Sequence, residues 1–170
     1  TKGSVLMEAV KSGIPDATIQ NSKSCALDAR QGFGEKLHCG ICTNCLLRRV
    51  SIFTAGLREK VGDYYYTNLD GYSFEEMSDG KGLHRERKSH LDIAFHAIQS
   101  MERFANLAIS SDNFQIEKHA YELSKIGFCS EEFAVSAMKS LVSDHRIEWQ
   151  TFLSSLSPKA WINTKLKDIK

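Results

Sequence analysis

Apolar residues recur at helical spacing along most of this chain. After Thr43, which the pattern makes a helix cap, Leu46, Leu47, Val50, Phe53 and Leu57 form one stripe over "NCLLRRVSIFTAGL". A longer stripe runs through "HRERKSHLDIAFHAIQSMERFANLAI", with Leu91, Ala94, Ile98, Met101, Ala105 and Ala108 on one face. Three further helices are predicted. They are "NFQIEKHAYELSKI", stopped by Gly127; "SEEFAVSAMKSLVSDHRIEWQTFLSSL", capped by Ser130; and "PKAWINTKLK", with Ser157 as cap and Pro158 in its first turn. Residues 61–82, with four Gly and four Tyr, break the periodicity and read as a linker carrying a short capping box from Ser73 to Glu76. The expected organisation is therefore a first part over 1–60, a linker-like segment over 61–82 and a helical extension over 83–170.

At 170 residues, 42% hydrophobic and 25% charged, the chain can bury a core of one or two small units. A formal net charge of +1 gives no global case for nucleic-acid binding. There is neither an apolar run long enough to cross a membrane nor a signal-peptide pattern, so a cytoplasmic protein with no membrane partner is expected. The first residue is Thr1, and "TKGSVLMEAVKSG" reads as though a structural unit were entered partway, which points to a fragment of a longer protein.

Chemistry concentrates in "HCGICTNCLLRR", residues 38–49. Five cysteines in a reducing compartment argue for metal ligation over disulfides, and the odd count would leave one thiol unpaired. Cys39, Cys42 and Cys45 form C-x2-C-x2-C, a spacing that lets one tight turn aim successive thiolates at a single centre, with Gly40 free to take positive φ. A tetrahedral zinc site needs a fourth ligand. Cys25, in the loop-like "NSKSCALDARQGFGEK", is preferred over His38, because a residue adjacent to Cys39 cannot easily point its side chain at the same ion. Cys129 lies far away between two predicted helices and reads as a structural thiol. Four thiolates around Zn2+ carry a net charge of about −2, for which Lys23, Lys36, Arg48 and Arg49 are placed to compensate. A site closed by four sulfurs leaves no position for water or substrate, so its expected role is structural.

"SCALDARQGFGEKLHCGICTNCLLRR", preceded by "TKGSVLMEAVKSG", resembles the C-terminal part of the 7-cyano-7-deazaguanine synthases, the QueC-like family of queuosine biosynthesis. The resemblance covers roughly residues 1–57 and implies a fold: a mainly α part with a four-cysteine zinc knuckle and a helical bundle. This part would complete an α/β ATP-pyrophosphatase, of the adenine nucleotide alpha hydrolase-like type. It also implies an activity. Members are ligases that adenylate the carboxylate of 7-carboxy-7-deazaguanine with ATP and Mg2+ and then use ammonia to form the nitrile. Their four zinc cysteines map onto Cys25, Cys39, Cys42 and Cys45, and the family's placements give Lys2 a role near the nucleotide and Arg48 a role near the substrate. For both residues a bland reading stands beside this one: a solvated Lys2, and an Arg48 that balances thiolate charge.

The chain also departs from the family. Its Ser-Gly-Gly-x-Asp-Ser loop, whose backbone N–H groups cradle the ATP phosphates, does not occur in these residues, so they are not expected to catalyse adenylation alone. ATP and Mg2+ would be held by an upstream ATP-pyrophosphatase domain, the first expected partner. Thirteen residues separate Cys25 from Cys39, and more than a hundred follow the motif. That extension is similar to the longer (QatC-like) members found in bacterial anti-phage defence, which makes other defence-system proteins expected partners. Lys81, Arg85, Arg87 and Lys88, with His84 and His90, offer a basic stretch that could meet nucleic-acid phosphate, although cations at a helix N-terminus oppose its dipole. The alternative reading is a non-catalytic zinc-knuckle and helical adaptor that binds a protein or nucleic acid.

Overall fold

A computed structural model of the chain describes residues 1–27, 38–78, 87–127 and 129–169. Among these residues the fold is helical and has no strand. The helices are α1 (Lys2–Lys11), α2 (Asp16–Asn21), α3 (Thr43–Thr54), α4 (Arg87–Asn106), α5 (Phe114–Gly127), α6 (Glu131–Ser155) and α7 (Trp161–Ile169). A single parallel bridge pairs His38 with Tyr64. Helix α3 is central: it packs against α1, α4 and α6, while α5 pairs with α6 and α7 with α4.

Local chemistry explains most helix ends. Thr1 caps α1 by accepting the Ser4 N–H at 3.0 Å, and Ser130 caps α6 by accepting from Phe133 N–H at 3.2 Å. Two ends differ from expectation. The cap of α3 is Cys42, with Thr43 the first helical residue, because Cys42 lends its carbonyl to Leu46 N–H (2.9 Å) while its sulfur turns inward. The last helix starts at Trp161, three residues beyond Pro158. Ser157 to Ala160 instead close a turn (2.9 Å), and the Trp161 N–H goes to the Gly71 carbonyl at 2.8 Å.

That last contact is one of several that draw residues 61–78 into the body of the protein. Tyr64, Tyr66, Leu69, Phe74 and Met77 are all buried, whereas Tyr72 is exposed. Tyr66 and Phe74 pack at 4.9 Å, Phe74 meets Trp161 at 5.2 Å, and the Tyr66 hydroxyl hydrogen-bonds His90 Nδ1 at 2.9 Å. One apolar core therefore holds Leu46 and Val50 of α3, Tyr66 and Met77 of the irregular segment, Ile98 of α4, Trp149 of α6 and Ile162 of α7. The α4 stripe enters it through Ala94, Ile98, Met101 and Ala105, while Leu91 stays exposed. Of the basic stretch, Lys88 is exposed on the first turn of α4, and Lys81, His84 and Arg85 lie outside the described residues.

The contact between α4 and α6 contains buried polar groups, each given a partner. Trp149 Nε1 donates to Glu102 Oε2 at 3.0 Å, and His145 Nε2 bonds the Met101 carbonyl at 3.2 Å. Helix α1 is fastened to the same helix, since Thr1 donates its hydroxyl to Glu148. The approach requires a glycine at position 3, where a Cβ would lie 2.7 Å from Glu148 Oε1 and 2.9 Å from Thr54 Cγ2.

Burial holds the His145 imidazole below the ordinary value of 6.5, so the unfolded chain takes up a proton that the folded chain refuses. The contribution is present above that value and is lost as pH falls through the folded pKa below it. Urea denaturation at about pH 7.5 and about pH 5.5 should show lower stability in acid, and His145→Gln should reduce the difference.

Candidate metal centre

Three of the four candidate sulfurs come from one continuous turn-and-helix unit. Cys39 lies in the turn, Cys42 caps α3, and Cys45 sits in the first turn of that helix. Gly40 makes the turn possible twice over. Its φ is +91°, and a Cβ there would come within 2.5 Å of the Tyr66 carbonyl oxygen. The turn is held from outside as well: His38 N–H donates to Asp63 O (3.1 Å), Tyr65 N–H to His38 O (2.9 Å) and Tyr66 N–H to Cys39 O (2.9 Å).

Cys25 reaches the unit from the segment after α2. Its sulfur lies 4.0 Å from Cys42 Sγ, Cys39 and Cys45 sulfurs are 3.7 Å apart, and all four lie within 4.8 Å of one another. A tetrahedral centre with Zn–S bonds near 2.3 Å would set its sulfurs about 3.8 Å apart. The quartet therefore fits a zinc ion with little adjustment. Backbone N–H groups already face the sulfurs: Cys39 N–H points at Cys25 Sγ (3.4 Å), and those of Ile41 and Cys42 point at Cys39 Sγ (3.4 and 3.3 Å). Such donors, together with the N-terminal end of α3, act in favour of thiolate, against burial and the neighbouring sulfurs. Within the quartet, hydrogen bonding with Cys39 pushes Cys25 strongly down, while contact with Cys25 pushes Cys39 and Cys45 up.

Cys25 is half-buried, whereas Cys39, Cys42 and Cys45 are buried. His38, the competing fourth ligand, is not part of the quartet. It is 1% exposed, its ring packs on Tyr64 at 5.2 Å, and neither ring nitrogen has a hydrogen-bond partner. Burial, and then the charge of Arg48, hold it below the ordinary histidine value, hence neutral. Cys129 is half-buried at the α5–α6 turn and stands apart from the cluster.

Both arginines after the cysteines are buried, at 7% and 4% exposure, a property that the apolar stripe alone did not predict. Arg49 lies over the Tyr64 ring at 4.6 Å. It donates through Nε to Glu59 (3.0 Å) and through its terminal nitrogens to the carbonyls of Tyr66 (3.0 Å) and Thr67 (2.7 Å). Arg48 turns to the other side, where its terminal nitrogens donate to Ser22 Oγ and to the carbonyls of Ile19 and Gln20, each at 2.9 Å. Lys2 is exposed on the first turn of α1 and Lys23 is exposed beside the quartet's entry segment. Lys36 lies outside the described residues. The sequence named Arg49 only for charge compensation; its clamp on residues 59–67, and the place of Ser22 with the short helix α2, come from the structure. A possible signal for the first was a pair of arginines on a helix that must also pack on a knuckle.

No protein-family model, curated protein or solved structure matches the chain. No helix among the described residues is long and apolar enough to cross a membrane.

Gly40→Ala should destabilise the protein by more than the roughly 1–3 kcal/mol typical of a strained backbone position, because the clash with Tyr66 adds to the positive φ. Gly56 has a φ of +67° and open space around its Cβ position, so Gly56→Ala provides the strain without the clash. Denaturant titration of both variants should show the larger loss at Gly40.

Proposed function

We propose that the chain is the zinc-stabilised C-terminal part of a QueC-like ATP-dependent ligase, in the longer form associated with anti-phage defence. The observation that carries this reading is the convergence of Cys25 with Cys39, Cys42 and Cys45. The resemblance assigns those four residues to the family's metal, and Cys25 joins the other three across thirteen intervening residues. The donor set, four sulfurs and no oxygen, suits zinc and leaves no coordination position for water or substrate. When bound, zinc would act as a cross-link between the segment after α2 and the start of α3.

In this reading the upstream domain supplies the ATP and Mg2+ site, and the knuckle presents a rigid surface for it. The helical extension over 83–170 would then be an interaction domain. A second reading, the non-catalytic adaptor, draws support from the α5–α6 hairpin, where Phe114, Tyr121, Ile126 and Phe133 are all at least half exposed. The two readings part on activity. The longer gene product, given ATP, Mg2+, ammonia and 7-carboxy-7-deazaguanine, should produce the nitrile under the ligase reading. Zinc-loaded protein that makes none would favour the adaptor.

Elemental analysis should find one zinc per chain. Cys42→Ser should lower zinc content and melting temperature together, because binding to such a site is folding free energy. Calorimetry with ATP and Mg2+ should detect no micromolar binding by the 170-residue chain. Micromolar binding would place a nucleotide site within these residues.

A further inference from the structure

We propose that Arg48 is the positioning residue for Cys25, so that its planar fork, more than its charge, sets the affinity of the metal centre. The proposal rests on the zinc reading and concerns which residue delivers the fourth ligand.

Three ligands need no help to meet, since they share one turn and one helix. Cys25 does. It follows α2, a six-residue helix that is too short to be stable by itself, and it precedes thirteen residues that separate it from Cys39. Closing such a loop at each binding event costs entropy unless something orders the segment beforehand. Arg48 is placed to do so. It stands three residues after Cys45 on α3, and therefore on the same side of the helix, so its guanidinium is rigidly referenced to two ligands. From there it donates to the carbonyls of Ile19 and Gln20 and to Ser22 Oγ, at 2.9 Å in each case.

Those two carbonyls belong to the last turn of α2, where intrahelical partners run out. Ser22 is fixed in its turn by donating its hydroxyl to Ile19 O at 2.7 Å. Cys25 lies three residues further on, a span of at most about 10 Å, so holding Ser22 confines where its sulfur can go. Beyond the sulfurs themselves, the hydrogen bond given to Cys25 Sγ is the long one from Cys39 N–H (3.4 Å). Arg48 thus grips the fourth ligand's segment more firmly than the ligand is gripped at its own position.

A lysine at position 48 keeps the charge and loses the fork, which separates positioning from simple compensation of thiolate charge. The experiment titrates the purified 170-residue protein with Co2+ and reads the sulfur-to-cobalt charge-transfer band, with Zn2+ affinity measured by chelator competition. Cys25→Ser supplies the three-sulfur reference. Arg48→Ala and Arg48→Lys should both weaken metal binding by roughly 10- to 100-fold, the usual effect of losing an outer partner, and both should move the band towards that of Cys25→Ser. Ile162→Ala, on α7, which packs against α4, should lower the melting temperature without changing the band. Should Arg48→Ala fail to fold, Ser22→Ala removes one of the three contacts and should shift affinity in the same direction by less. Arg48→Lys with wild-type affinity would overturn the proposal in favour of charge compensation, as would a four-sulfur spectrum at full affinity in both Arg48 variants. A wild-type protein that binds neither ion would overturn the zinc reading itself, and the proposal with it.

Discussion

Bringing four sulfurs within 4.8 Å of one another is the constraint around which this protein is arranged. Four thiolates repel, and in water nothing would hold them together; an ion of charge +2 would, with a free energy of order 10 kcal/mol for structural zinc. The demand falls unequally on the chain. Three sulfurs need a turn that only glycine can make at position 40, with a helix started by Cys42 immediately after it. The fourth must be brought in from a separate segment. Cys39 and Cys45 are both at most 1% exposed, so the same residues that form the metal centre also form one end of the apolar core. Folding of the core and assembly of the quartet are in this way one event.

Helix α3 carries that event into the rest of the molecule, and its two arginines show how. Neighbouring residues on a helix point about 100° apart, so Arg48 and Arg49 can reach different hydrogen-bond partners. One takes the end of α2, the other takes the carbonyls of Tyr66 and Thr67 and the carboxylate of Glu59. Burying two guanidinium groups is costly unless their donors are met. Here the terminal nitrogens of both side chains are met largely by backbone carbonyls, while Arg48 Nε has no partner among the described residues. Arg48 therefore holds the end of the short helix α2, and Arg49 the segment that contains Glu59, Tyr66 and Thr67. Residues 59–67 are held both by Arg49 and by backbone hydrogen bonds of their own and to His38 and Cys39.

The tail packs on this base by a different logic. Helices α4 and α6 meet through buried polar pairs, Trp149 with Glu102 and His145 with the Met101 carbonyl. Helix α6 also accepts the start of α1 at Glu148, so the beginning and the later part of the chain share a contact. Together with the single core, this makes the extension a structural neighbour of the metal centre.

Sequence by itself determined the later helices and the grouping of four cysteines. Periodic apolar positions gave α4, α5 and α6, because a 3.6-residue repeat has one buried face wherever the helix is placed. The ends at Ser130 and Gly127 were legible because a cap and a helix stop depend on the adjacent residues alone. The C-x2-C-x2-C spacing identified its centre for the same reason, and the choice of Cys25 over His38 followed from local geometry. Only the tertiary structure decided what depends on distant partners. It made Arg48 and Arg49 core residues, left Phe53 exposed on a helix whose stripe had claimed it, and moved the start of α7 because Gly71 accepts the Trp161 N–H. It also turned residues 61–78 from a linker pattern into packed structure. Glycine and tyrosine in such a stretch look alike whether solvated or buried, and what settles the matter is a set of carbonyls and rings many residues away.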